Sequence, residues 1–168
     1  MDGPDVVLAN RSIPVIDFET FYATWRDPIR RALALATGDV TMADDAVDEA
    51  MTRALGAWDQ LKEYNRPEGW VYRVGLNWAR GRYRKRRYEL LSSMDLVERS
   101  GEFDPPDIDV INAVGGLSVR LRQLVIARYY LDWSTSDVAQ ALQIPEGTVK
   151  SRLARALTRL AEALGESS

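Results

Sequence analysis

The stretch STSDVAQALQIPEGTVKSRLARALTRLAEAL, residues 134–164, decides the fold of the second half of the chain. Ser134 followed by Asp137 forms a capping box, in which each side chain accepts a backbone N–H that the helix start leaves unpaired. A short helix with Val138, Ala139 and Leu142 on its buried side follows, and Gln143 and Ile144 make a turn. Pro145, whose fixed φ suits a helix entry, opens a last helix with Val149, Leu153, Ala156, Leu157, Leu160 and Leu164 facing inward. The opposite side carries Gly147, Ser151, Ala154, Arg155 and Thr158, with Lys150, Arg152 and Arg159 nearer the edges. Small residues let a helix approach a groove floor, so this side fits the recognition helix of a helix-turn-helix. Arg155 can reach base edges, while Lys150, Arg152 and Arg159 are placed for phosphates or outer base contacts. Glu146 has two readings: an acid at the positive end of the helix dipole, or an acceptor for a cytosine amino group. Taken alone, this unit is also compatible with a plain helical hairpin.

Upstream, Leu117 to Tyr130 keeps a helical period, whereas Glu89 to Asp109 mixes acids with serine, glycine and proline and reads as a linker. The charge sign then reverses. Arg66 to Tyr88 holds eight basic residues against Glu68 alone, so the net charge of -3 conceals a strongly basic segment. Pro67 suits the first turn of a helix that buries Val71, Val74 and Trp78. A rotation of about 100° per residue aligns Arg73, Arg80, Arg84 and Arg87 in one stripe. Such a stripe can lie along a phosphate backbone, with Asn77 or an arginine near the bases. A solvated helix end and an anionic membrane are the competing readings. The second is weakened because Tyr83 and Tyr88 are the only large nonpolar-bodied residues among the terminal arginines. In the preceding loop, Tyr64, Asn65 and Arg66 can offer a ring and an amide to an unstacked base, or simply anchor the loop.

The first part of the chain is helical by period. Phe18, Phe21, Tyr22, Trp25, Ile29, Leu33 and Ala36 share a face, Pro28 is placed to kink that helix, and Gly38 stops it. Thr41 with Asp44 is a second expected capping box, opening a helix lined by Ala43, Ala46, Val47, Ala50, Ala54 and Leu55, with Trp58 closing the face. Asp44, Asp45, Asp48 and Glu49 cluster on that helix and serve either as a docking face or as a solvated start that favours the dipole. They lack a calcium-loop pattern, and no metal site is expected.

The 168 residues are 46% hydrophobic and 28% charged, the composition of a folded globular protein. With neither Cys nor His, thiol and imidazole chemistry are excluded. Met1 is followed by Asp2 and Asp5 rather than by a basic start and an apolar run, so neither a signal peptide nor membrane insertion is expected, and the location expected is cytoplasmic. The expected fold is all-α: two small helical domains joined by an acidic flexible linker, the second containing the helix-turn-helix. Residues 1–16 are an N-terminal tail, 17–88 the first domain, 89–113 the acidic linker and the start of the next helix, 114–164 the second domain and 165–168 a C-terminal tail.

Residues 18–88 resemble the second region of a bacterial RNA polymerase sigma factor of the extracytoplasmic function group, and 117–164 resemble its fourth region. The resemblance is carried by Thr37, Gly38 and Asp39 with Ala43, Asp44, Asp45, Ala46 and Val47, then Trp58, Arg66, Pro67 and Trp70 to Asn77. The run Gly147, Thr148, Val149, Lys150, Ser151, Arg152, Leu153 is the most diagnostic piece. The resemblance implies a dissociable promoter-specificity subunit without enzyme activity, cofactor or small-molecule substrate. It implies that Asp44, Asp45, Asp48, Glu49 and Arg53 meet core RNA polymerase. Lys62, Tyr64, Asn65 and Arg66 match the loop that captures an unpaired base of the near promoter element, and Asn77, Arg80 and Arg84 match the helix at its duplex edge. Glu146, Lys150, Arg152 and Arg155 match the reader of the far element, near a contact with the polymerase flap, and Arg73, Arg87 and Arg159 are left for phosphates. The family also implies a separate anti-sigma protein. Three departures stand out: Gly116 to Val119 replace a proline-rich entry, Asp132 replaces a frequent turn glycine, and Leu76 occupies a frequently basic position. The alternative function is a two-domain DNA-binding transcriptional regulator that acts without polymerase.

Overall fold

The computed structural model describes residues 16–92 and 108–165, apart from the side chains of 86–92 and 108. Helix α1, Phe18–Thr37, starts on Asp17, whose Oδ1 accepts from Thr20 N at 2.8 Å, and ends where Gly38 turns left-handed at φ 70°. Pro28 sits inside α1, which continues through it and buries Ile29, Ala32 and Leu33 just beyond. Helix α2, Val40–Gly56, corrects one expectation. Its cap is Asp39, extended at φ -142° and ψ 109° with Oδ1 2.9 Å from Met42 N, and Thr41 is already helical. The left-handed turn at Gly38 delivers the chain to Asp39 in the extended geometry that an N-cap needs, so the helix starts before the expected Thr41–Asp44 box.

The single turn α3, Trp58–Leu61, sets the Trp58 ring against Phe18 and Phe21 at centroid distances of 5.5 and 4.8 Å. Helix α4, Pro67–Ser92, packs against α1 and α2 and buries Val71, Tyr72, Leu76 and Ala79. Gly75 permits this approach, because a Cβ there would sit 2.8 Å from Leu33 Cδ1.

The second unit comprises α5, Ile108–Gly115; α6, Val119–Val125, capped by Ser118; α7, Thr135–Leu142; and α8, Glu146–Ala163. The helix expected from Leu117 to Tyr130 is divided more finely. It begins at Val119, and its last turn, Ile126–Tyr130, is π-helical. The wider turn is followed by Asp132 at φ 57°, so the position where a glycine is frequent in the family does adopt the left-handed conformation. Trp133 is delivered inward at 1% exposure. The Ser134–Asp137 capping box forms as expected, and Gln143 makes the turn into α8 at φ 55°. On α8, Val149, Leu153 and Ala156 are buried, but Leu157 and, just past its end, Leu164 are exposed, as is Leu55 on α2. The period that marked all three as inward reports a helix face, and these residues lie where that face runs past its partner helices.

The two units pack against each other. Tyr72 of α4 donates its hydroxyl to the Gln123 carbonyl at 2.9 Å and meets the Trp133 ring edge-on at 5.6 Å. Arg122 reaches across to the Ala36 carbonyl at 2.9 Å while its other nitrogen holds the Gly115 and Leu117 carbonyls. Gly69 lies so close to α7 that a Cβ there would stand 2.9 Å from Ala141 Cβ. Buried residues of both units therefore form one continuous cluster. The acidic stretch 93–107 and the two tails, residues 1–15 and 166–168, lie outside the described residues.

Candidate nucleic-acid interface

The loop between α3 and α4 and the first turns of α4 form one wall of a cleft of about 390 Å³, and α7 forms the other. Tyr64 and Asn65 are exposed at its rim, and Trp70, Arg73, Gln140 and Gln143 line it further in. Arg66 bridges the two walls, with Nη1 3.2 Å from Glu68 Oε1 and Nη2 2.9 Å from Asp137 Oδ2. Burial pushes the Glu68 carboxyl up, with only partial compensation from its own backbone N–H and Arg66. Burial acts the same way on Asp137, but hydrogen bonds from Ser134 and Arg66, with the guanidinium charge, outweigh it and hold that carboxyl below its ordinary value. Lys62, at the loop's start, pairs with Asp59 at 3.6 Å rather than pointing into the cleft. Trp70 enters the sequence reading only as part of the Trp70 to Asn77 run. Its half-buried ring also lines the cleft beside Tyr64, which single-helix periodicity does not report.

Along α4, Arg73, Asn77 and Arg80 border a second cleft of about 300 Å³, completed by Arg120 and Gln123 of α6, the α7–α8 turn and Arg152 of α8. Arg80 Nη2 donates to Gln123 Oε1 at 3.3 Å. Arg73 has a buried Nε without an acceptor. Arg84 is exposed beyond this cleft, and the side chain of Arg87 lies outside the described residues. Leu76 is 5% exposed, so at the frequently basic position this chain has a core residue. Arg120 and Gln123 were not singled out by sequence, since nothing in their spacing shows that they face another helix.

On α8 the side made of Gly147, Ser151, Ala154, Arg155 and Thr158 is exposed or nearly so, together with Lys150 and Arg159, while Arg152 turns partly into the second cleft. Glu146 is held locally, accepting from Thr135 Oγ1 at 3.3 Å and pairing with Lys150 Nζ at 3.6 Å. The acidic cluster of α2 is partly neutralised. Asp44 pairs with Arg30 at 3.3 Å, Asp48 with Arg26 at 2.9 Å, and Glu49 with Arg53 at 3.0 Å, which leaves Asp45 as its exposed carboxylate without an ion pair among the described residues. No group of acids in the described residues is arranged to hold a metal ion, and no described helix is long and apolar enough to cross a membrane.

The chain matches two family profiles, Sigma-70 region 2 over residues 21–88 and Sigma-70, region 4 over residues 108–160. It is 30% identical over 154 residues to the RNA polymerase sigma-E factor of Streptomyces avermitilis, covering 89% of this chain and 86% of that protein. To the ECF RNA polymerase sigma factor SigL of Mycobacterium tuberculosis it is 32% identical over 146 residues, covering 82% of each chain. In three dimensions it is similar to the sigma factor RpoE of Bartonella quintana, solved in complex with the anti-sigma factor NepR, with a TM-score of 0.77 at 23% identity over 90% of this chain and 99% of that one. The two regions lie in the same order, on the helices that carry the loop cleft and the exposed α8 face, and relatives of this identity share most of their length. The chain belongs to the extracytoplasmic function group of the sigma-70 family and is a promoter-specificity subunit of RNA polymerase.

Proposed function

We propose that this chain reads a promoter at two separate places and must loosen its own closed packing to do so. The observation that carries the reading is the exposure of α8: its small-residue side is open while Val149, Leu153 and Ala156 anchor the other. That arrangement suits insertion into a major groove, with Arg155, Lys150 and Arg152 reading the far element, Glu146 positioning Lys150, and Arg159 on phosphate. At the near element, Tyr64 and Asn65 capture an unpaired base in the cleft that Trp70 also lines, and Lys62 and Arg66 steer the strand. Unstacking a base costs a few kcal/mol, so the loop must return a stacking surface and amide contacts of similar worth. Asn77, Arg80 and Arg84 then meet the duplex edge, with Arg73 and Arg87 on phosphates.

The face of α4 that carries Arg73, Asn77 and Arg80 is walled by α6 and the α7–α8 turn. A duplex reaches it once the second unit moves away, and the energy for that movement comes from polymerase contacts at Asp44, Asp45, Asp48, Glu49 and Arg53. Arg26 and Arg30, which pair with two of those acids, exchange partners on docking. The exposed Tyr129, Leu157 and Leu164 supply apolar surface for the polymerase flap or for an anti-sigma protein. The subunit works in the cytoplasm and performs no chemistry of its own.

Reconstitution with core polymerase and a randomised promoter pool tests this reading. Enrichment of two spaced sequence elements that depends on polymerase is the expected result, and a pool that yields no polymerase-dependent initiation would overturn it. The regulator acting without polymerase is not favoured. It would require equal specific binding with and without core enzyme at matched salt.

A further inference from the structure

We infer that the second cleft is a binding site for an oligophosphate anion, held between the two units when the chain is closed. Arg73 and Arg80 approach it from α4, and Arg120 and Arg152 approach from α6 and α8. Among the described residues its lining holds no Asp or Glu, and none of these four arginines forms an ion pair there. The buried Arg73 Nε without an acceptor means that part of one guanidinium has lost water and gained nothing in exchange. Gln123 is 8% exposed, and its Oε1 is occupied by Arg80, which leaves its amide N–H donors for a guest.

Four like charges facing one space repel, and bringing two of them from each unit works against closure. An anion between them reverses the sign of that effect. Guanidinium forks match phosphate oxygens in paired, charge-assisted hydrogen bonds, and a chain of two or three phosphoryl groups spans opposite walls as a single phosphate does not. A space of about 300 Å³ suits such a group. Because the site is complete only while the units are together, its occupant binds the closed form more tightly and shifts the population toward it. It also occupies Arg73, Arg80 and Arg152, which the promoter reading assigns to DNA. Oligophosphate and promoter would then exclude each other.

Calorimetric titration of the full chain with inorganic tripolyphosphate, at fixed ionic strength and with sulfate as the control anion, tests the site without polymerase or DNA. Its failure is therefore distinct from any failure of the promoter reading. The expected result is saturable one-to-one binding that sulfate does not reproduce. Arg120→Gln, at an exposed position with no assigned promoter role, should weaken it about tenfold, whereas Arg31→Gln, exposed on α1, should not. Adenosine triphosphate as a second probe separates the sources: equal affinity assigns the phosphate chain alone, and tighter binding assigns a nucleoside polyphosphate. Absence of saturation, or equal weakening by Arg31→Gln and Arg120→Gln, would overturn the proposal in favour of diffuse attraction between a basic surface and any anion.

Discussion

Helix α4 turns Arg73, Asn77 and Arg80 toward a cleft walled by the second unit, whereas α8 turns Arg155, Lys150 and Arg159 toward open solvent. The difference follows from what each helix packs against. Helix α4 is wedged between the first unit's core and α7, with Tyr72 and Gly69 in contact with the second unit, so its charged flank runs along a seam. Helix α8 is anchored through one apolar side, mainly on α6, α7 and α5, and the residues of its other side are exposed among the described residues. Closure therefore half-buries Arg73 and sets α6 and the α7–α8 turn beside Asn77 and Arg80, which stay exposed, whereas the small-residue side of α8 has no such wall among the described residues. The comparison can be broken most directly at the seam. Trp133→Ala removes the largest fully buried side chain, together with its edge-on contact with Tyr72. A loss of about 3–5 kcal/mol in denaturant-measured stability is expected. A loss below 1 kcal/mol would mean that the indole is not packed between the units.

Gly69→Ala separates the seam from the core. A methyl group there would stand 2.9 Å from Ala141 Cβ and 3.5 Å from its Cα, both rigid, while α4 itself gains a better helix former. Overpacking of this kind costs about 1–3 kcal/mol, and here the cost falls on closure. X-ray scattering should show a larger radius of gyration than wild type with helical content unchanged. An unchanged radius would show that the units accommodate the methyl without parting.

Much of the fold was legible because helix ends announce themselves chemically. Gly38, Pro67, Ser134 with Asp137, and Pro145 each mark a boundary by side-chain hydrogen bonding or fixed backbone preference, and α1, α4, α7 and α8 follow those marks. Where two caps compete within three residues, as at Asp39 and Thr41, local chemistry is ambiguous and the preceding turn decides. The π-helical turn at Ile126 was not legible, since its period departs from the pattern that identifies a helix. Nor was the seam. Tyr72 to Gln123 and Arg122 to Ala36 join elements 51 and 86 residues apart, and a period reports which side of a helix is apolar, not which helix meets it. For the same reason the exposed side of α8 was readable, while Arg120 and Gln123 in the second cleft and Trp70 in the first were not.

The same contrast predicts how two point variants divide the promoter. Tyr64→Ala removes a half-exposed ring at the rim of the loop cleft. Loss of a stacked base costs about 1–3 kcal/mol, so open-complex formation should fall by roughly tenfold or more while far-element sensitivity persists. Arg155→Ala should cost a similar amount but only at the far element, flattening the response to a far-element mutant library. If Tyr64→Ala instead changed far-element preference, the two surfaces would not be separate readers.

The smallest effect belongs to the ionic clasp across the first cleft. Asp137→Asn leaves an oxygen to accept from Ser134 N, so the cap survives, but Arg66 loses its charged partner at 2.9 Å. With Asp137 at 19% and Arg66 at 33% side-chain exposure, water screens the pair and about 1 kcal/mol or less is expected. The pH dependence has a definite sign. The Asp137 carboxyl is held below its usual 3.8 in the folded chain, so its contribution is complete above that value and is lost as the pH falls through the lower folded value. Glu68 opposes it: its folded value is raised by burial, so the folded chain binds that proton more readily and gains stability as the pH falls through the raised value. Because the Asp137 charge also helps to raise Glu68, subtracting the denaturation curves of D137N from those of wild type leaves a Glu68 contribution beside that of Asp137. The difference should be flat near neutrality, rise as Glu68 takes up its proton and the repulsion from Asp137 ends, and shrink below about pH 3.8 as Asp137 itself is protonated. A difference that stayed level from neutrality to the acid end would show that Asp137 neither holds Arg66 through its charge nor repels Glu68.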